Sequence, residues 1–166
     1  PRDAGFDLPA EEPTPIEVGR GELLREGSDI LIVGLGPIVA RGLAVAGQLS
    51  ADGWSVAVAD ARFARPLDRE LILEQTRGKR LIVTLEESVL PGGFGASVLE
   101  VLADADDASV FAPLKRIGLP DGAFVDHGSV TDLRALVRID EAGIQAQIEE
   151  AIAAHGLTPA GAPVEA

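Results

Sequence analysis

Residues 81–102 read LIVTLEESVLPGGFGASVLEVL, a strand, a glycine-rich turn and a helix in immediate succession. Leu81, Ile82, Val83 and Leu85 form a short apolar run with β-branched content, which suits a strand buried on both faces of a parallel sheet. The run ends on charge, at Glu86 and Glu87. Gly92, Gly93 and Gly95 then turn the chain, and Ser97, Val98, Val101 and Leu102 fall at helical spacing. A strand-loop-helix unit presents its function at the loop, so this loop is the first place to look for chemistry.

The same unit recurs on either side. Upstream, Ile30 to Val33 reads as a second buried strand, followed by Gly34, Gly36 and Pro37 and a helix over 38–50 with Val39, Leu43 and Ala46 on one face. Trp54 to Ala59 is the next strand, and the loop DARFARPLD (residues 60–68) ends on Asp68, placed to cap a helix over 69–76. Ile16 to Arg25 alternates weakly and is broken by Gly19 and Gly21, as an edge strand would be. Downstream, Val110 to Ile117 predicts a last strand ending in the turn GLPDG. Ser129 and Asp132 have capping-box spacing for a helix over 130–138, and Asp140 caps another in which Ile144, Ile148 and Ile152 recur every four residues before His155 and Gly156 close it.

Strands alternating with helices imply right-handed crossovers and a mostly parallel sheet covered on both faces, a three-layer α/β/α sandwich. The expected boundaries are a linker or extended arm over 1–15, where four prolines stand among four acidic residues, a domain over 16–155, and a disordered tail over 156–166.

Composition narrows the function. A net charge of -13 with 14 scattered Lys and Arg residues argues against nucleic acid, which needs a basic stripe. No apolar run approaches a membrane-spanning length and no signal peptide opens the chain, so a cytoplasmic setting without a membrane is expected. Cysteine is absent and His127 and His155 are the only imidazoles, which leaves no ligand set for zinc. The chain begins at Pro1 and contains no methionine, and so reads as a piece of a longer polypeptide.

In GLGPIVARG (34–42) Val39 stands where a dinucleotide fingerprint needs its third glycine and Pro37 removes a donor, so a tight strand-to-helix turn is the simpler reading. PGGFG (91–95) can present amides to an anion at a helix N-terminus, but Glu86 and Glu87 beside it repel a phosphate. Adjacent strand carboxylates point to opposite faces and cannot share a proton as a dyad. One of the pair is expected to be solvated, the other to accept hydrogen bonds from loop amides or a partner chain. His127 lies beside Asp126 and Ser129 in VDHGS, yet no nucleophile elbow accompanies it. Interface or loop-ordering roles are therefore expected for Glu86, Glu87, Gly92, Gly93 and His127, with no catalytic and no metal-binding residue.

Taken in order, IEVGRGELLREGSDILIVGLG (16–36), VADARFARPLD (58–68), VTLEESVLPGGFGASVLEVL (83–102) and IGLPDGAFVDHGS (117–129) resemble the C-terminal domain of transketolase-type thiamine-diphosphate enzymes, and within that group the 1-deoxy-D-xylulose-5-phosphate synthases. The R-F-x-x-P-L-D and E-E-x-x-x-x-G-G-x-G patterns also occur in the β subunits of 2-oxoacid dehydrogenases, where such a domain serves dimerisation and partner docking. L-P-D and H-G-S with the terminal helix point to the synthases. The resemblance implies a five-stranded sheet whose first strand is antiparallel. It also implies a homodimeric enzyme that uses thiamine diphosphate and Mg2+, both held by N-terminal and middle domains of the same polypeptide, so that these 166 residues bind no cofactor and are inactive alone. One residue is implied to reach the substrate: Arg2 is similar in position to the second Arg of the family's R-Y-P-R-G and would clamp a substrate phosphate, although Asp3 stands where Gly is usual.

Overall fold

The computed structural model describes residues 15–107, 110–122 and 124–160. In chain order the elements are β1 Glu22–Arg25, β2 Ile30–Gly34, α1 Val39–Ala51, β3 Val56–Asp60, α2 Arg69–Thr76, β4 Leu81–Val89, α3 Phe94–Ala103, β5 Leu114–Leu119, α4 Val130–Leu136 and α5 Glu141–Ala154. They form one five-stranded sheet of order β1-β3-β2-β4-β5, with β1 antiparallel to β3 and the other pairs parallel. The expected mixed α/β sheet is thus present, with its antiparallel strand at the edge.

β2 shows why its sequence is apolar without alternation. Ile30 and Ile32 join a core with α1 and α5, built on Val45, Leu49, Ile144 and Ile148, while Leu31 and Val33 join a second core with α2 and α3, built on Ile72, Phe94, Val98 and Leu102. A strand covered on both sides has no solvent face to keep polar. α1 packs close through Gly42, where a Cβ would sit 2.9 Å from the Leu85 side chain.

Local signals set most helix starts. Asp68, Ser129 and Asp140 each accept a bond from the backbone N–H three residues on, at 3.0, 3.2 and 3.0 Å. Boundaries differ from expectation where backbone chemistry intervenes. β5 begins at Leu114 rather than Val110, because Pro113 lacks the N–H a ladder needs; Val110 is still fully buried, but in the connection. β1 starts only at Glu22: Gly19 has φ +79°, and a Cβ on Gly21 would meet Leu71 and the Asp60 carbonyl. α4 stops at Leu136, with Arg138 at φ +60°. Past 155, Leu157 packs against the α1/α5 core and Arg80 donates to the Thr158 carbonyl. No described helix is long and apolar enough to cross a membrane.

Candidate functional site

The organising loop lies at the carboxyl end of β4. Six buried residues, Leu81 to Glu86, are followed by exposed Glu87, Ser88 and Val89. Glu86 is only 1% exposed although it carries a carboxylate. Burying that charge is costly unless its oxygens are satisfied, and they are. Its Oε2 accepts the Phe94 N–H at 2.6 Å and the Ser88 hydroxyl, and its Oε1 accepts the Gly95 N–H at 2.8 Å. Phe94 and Gly95 open α3, so a side chain of the protein itself fills the place where a helix N-terminus would receive an external anion.

Glycines make room for this arrangement. A Cβ on Gly93 would collide with Glu86 Oε2, and one on Gly118 of the neighbouring β5 would lie 2.7 Å from Glu86 Cγ. Gly92 serves differently: with φ +67° it makes the turn, and no atom crowds its Cβ position. Beneath the same helix start, Thr84 Oγ1 is buried with no hydrogen-bond partner among the described residues.

Glu87 points the other way. It accepts from Arg134 Nε at 2.8 Å, tying the end of β4 to α4. α4 itself buries no residue: Val130 and Leu136 are 55% and 69% exposed, and nearby Phe124 is 92% exposed. Beside it a cleft of about 250 Å³ is lined by Leu119, Val125, Leu133, Val137 and Ile139, with the Glu87–Arg134 pair on its rim.

The expected site residues are therefore divided. Glu86, Gly92 and Gly93 meet at the start of α3, Glu87 belongs to the α4 side, and His127 is exposed on the loop before Ser129. Arg2 lies outside the described residues. The sequence reading missed Ser88 and Arg134. Ser88 was findable, since residues i and i+2 of a strand share a face; Arg134, 47 positions from its partner, left no local trace. It also passed over Arg62 and Arg65, which border a second cleft outside β2, β3 and β4.

Elsewhere charges are used for tethering. Asp68 also accepts the Gly21 N–H at 3.0 Å, and buried Asp29 accepts the Ser55 N–H at 2.9 Å, with Arg80 3.6 Å away. Lys79 donates to the Gly27 carbonyl at 2.7 Å, and burial pushes its pKa below the ordinary lysine value against the attraction of Asp29. Among the described residues no cluster of three or more His, Asp or Glu side chains is placed to hold a metal ion.

Residues 19–164 match the family model described as transketolase, C-terminal domain. The chain is 45% identical over 157 residues to 1-deoxy-D-xylulose-5-phosphate synthase 1 of Geobacter sulfurreducens, covering 94% of this chain and 24% of that protein. It is 44% identical over 163 residues to 1-deoxy-D-xylulose-5-phosphate synthase of Thermomicrobium roseum, covering 98% of this chain and 25% of that protein. The chain thus spans about a quarter of the length of these curated relatives. Among solved structures, a split-gene transketolase in an inactive β4 tetramer is 31% identical with a TM-score of 0.75, over 84% of this chain and 44% of that one. A variant Pichia stipitis transketolase, 17% identical with a TM-score of 0.57 over 80% of this chain and 18% of that one, shares the fold. With the antiparallel edge strand, the glycine-rich turn and these matches in agreement, the chain belongs to the transketolase C-terminal domain family.

Proposed function

We propose that this chain is the C-terminal domain of a 1-deoxy-D-xylulose-5-phosphate synthase, whose whole enzyme condenses pyruvate with D-glyceraldehyde 3-phosphate to 1-deoxy-D-xylulose 5-phosphate and CO2. In this reading the domain packs against the N-terminal and middle domains and contributes contacts to a cytoplasmic homodimer. Identity of 44–45% across nearly the whole chain carries the reading, and it favours the synthase over a 2-oxoacid dehydrogenase β subunit. The bare face of α4 supports a docking role, since seven residues without a buried side chain are too few for a helix to persist in water unaided.

The residues present do not fit thiamine diphosphate and Mg2+. The amides that open α3, the natural seat for a diphosphate, are spent on Glu86, and the described residues offer no carboxylate cluster for the metal. The cofactor belongs to the other domains, and no chemical step runs through this one. Arg2 is the single residue of this chain proposed to touch substrate, as a bidentate clamp on the aldehyde's phosphate.

The 166-residue chain mixed with pyruvate, glyceraldehyde phosphate, thiamine diphosphate and Mg2+ is expected to give no product; turnover would falsify the assignment of chemistry to the other domains. In the intact enzyme Arg2→Ala should raise KM for the phosphorylated aldehyde by about tenfold and leave KM for pyruvate unchanged. Equal KM values in variant and parent remove the clamp.

A further inference from the structure

We propose that the cleft where the loops after β2, β3 and β4 converge binds a small phosphate monoester with an apolar body. The inference stands apart from the synthase reading. Its first support is position. The strand order reverses at β2: the chain leaves β2 through α1 toward β3 on one side, and leaves neighbouring β4 through α3 toward β5 on the other. α1 covers one face and α3 the other, so the two loops part and leave a crevice beyond the carboxyl ends of the strands, where open α/β sheets take their ligands.

The second support is size and lining. The cleft measures about 690 Å³, room for a small organic molecule. Arg62, Arg65, Ser88 and Ser97 supply its polar side chains, and Leu35 and Phe63 part of its apolar wall. No carboxylate side chain lines it, in a chain of net charge -13. Arg62 is paired with Glu22, so Arg65 supplies the uncompensated positive charge of this cleft.

The two guanidinium groups are prepared differently. Arg62 is held: it pairs with Glu22, and its backbone N–H donates to Asp60 Oδ1 at 2.8 Å. Arg65 is exposed, and no described carboxylate pairs with it. A free guanidinium fork matches phosphate or carboxylate bidentately. A carboxylate's two oxygens are taken up by the fork alone, whereas a phosphate monoester has a further terminal oxygen for the hydroxyl of Ser97, the Ser88 hydroxyl being given to Glu86. The amides of Phe94 and Gly95 take no part, because Glu86 holds them. Recognition therefore comes from side chains.

The test is calorimetric titration of the 166-residue chain at low salt with phenyl phosphate, with benzoate and phenol as parallel arms and amide chemical shifts to map the site. Expected are one saturable site for phenyl phosphate, weaker binding of benzoate, none of phenol, and shifts at Leu35 and over 88–93. Arg65→Ala, an exposed change that should leave the thermal midpoint in place, weakens phenyl phosphate about tenfold or more. Absence of saturable binding, unchanged affinity in Arg65→Ala, or shifts confined to another cleft overturns the site; benzoate binding as tightly as phenyl phosphate overturns the phosphate assignment.

Discussion

Glu86 and Glu87 are neighbours in sequence with opposite situations, and so are the helices they serve. Glu86 is enclosed, holds the first amides of α3 and is surrounded by glycines that keep other atoms away. Glu87 reaches across exposed ground to Arg134 on α4, a helix whose Val130 and Leu136 lie open. One face of the sheet at this end is finished by the chain's own residues, and on the other α4 leaves Val130 and Leu136 in water. The same residue type does both jobs because a strand sends alternate side chains to opposite faces.

The contrast is broken most directly by truncating each carboxylate. Glu86→Ala strands two buried N–H groups and a hydroxyl, and should cost about 3 kcal/mol or more in urea denaturation. Glu87→Ala, whose ion pair is partly solvated, should cost about 0.5–1 kcal/mol. Similar losses from both would erase the distinction. Gly118→Ala comes next: its methyl group has nowhere to go beside Glu86 Cγ, so a loss of about 1–3 kcal/mol is expected from the same denaturation series. Thr84→Val should move in the opposite direction and gain up to about 1 kcal/mol in thermal midpoint analysis, because the hydroxyl it removes is buried without a partner.

On the α4 side the effects are smaller. Leu136→Lys should change the stability of this chain by no more than about 0.5 kcal/mol, since the side chain it replaces is already in water. A larger loss would show that α4 is covered within the chain itself. The smallest expected change lies where the chain turns from α4 to α5. The hydrogen bond from Arg138 holds the Glu150 carboxyl below its ordinary value of 4.5. A depressed carboxyl pKa gives stability that is present above 4.5 and fades as pH falls through the folded value. Carboxyl titration by NMR should find Glu150 moving up toward 4.5 in Arg138→Ala.

How much of this could be read from the chain follows the same division. β2 and α5 were legible because their apolar spacing and their caps agree: Ile30 to Val33 has no polar interruption, and Asp140 starts a helix whose isoleucines face one core. The start of β5 is hidden because Val110 is as apolar as any strand residue, and only the missing N–H of Pro113 shows that pairing begins four residues later, at Leu114. β4 was expected to end at its charges. It runs on to Val89 because the Glu86 oxygens are satisfied by amides of the next helix, an arrangement that depends on tertiary packing. The clustering of Arg62 and Arg65 with Ser88 and Ser97 was hidden for the same reason, since neither pair predicts the other along the sequence.

Native-state hydrogen exchange compares the two helix starts in one experiment. The Phe94 and Gly95 amides should exchange only through global unfolding, as slowly as the amides of β2, while those of α4 should exchange through local opening several kcal/mol easier, about a hundredfold or more faster at equal intrinsic rates. Protection at α4 equal to that at Phe94 and Gly95 would contradict the account, because it would mean that the chain finishes both faces of its sheet by itself.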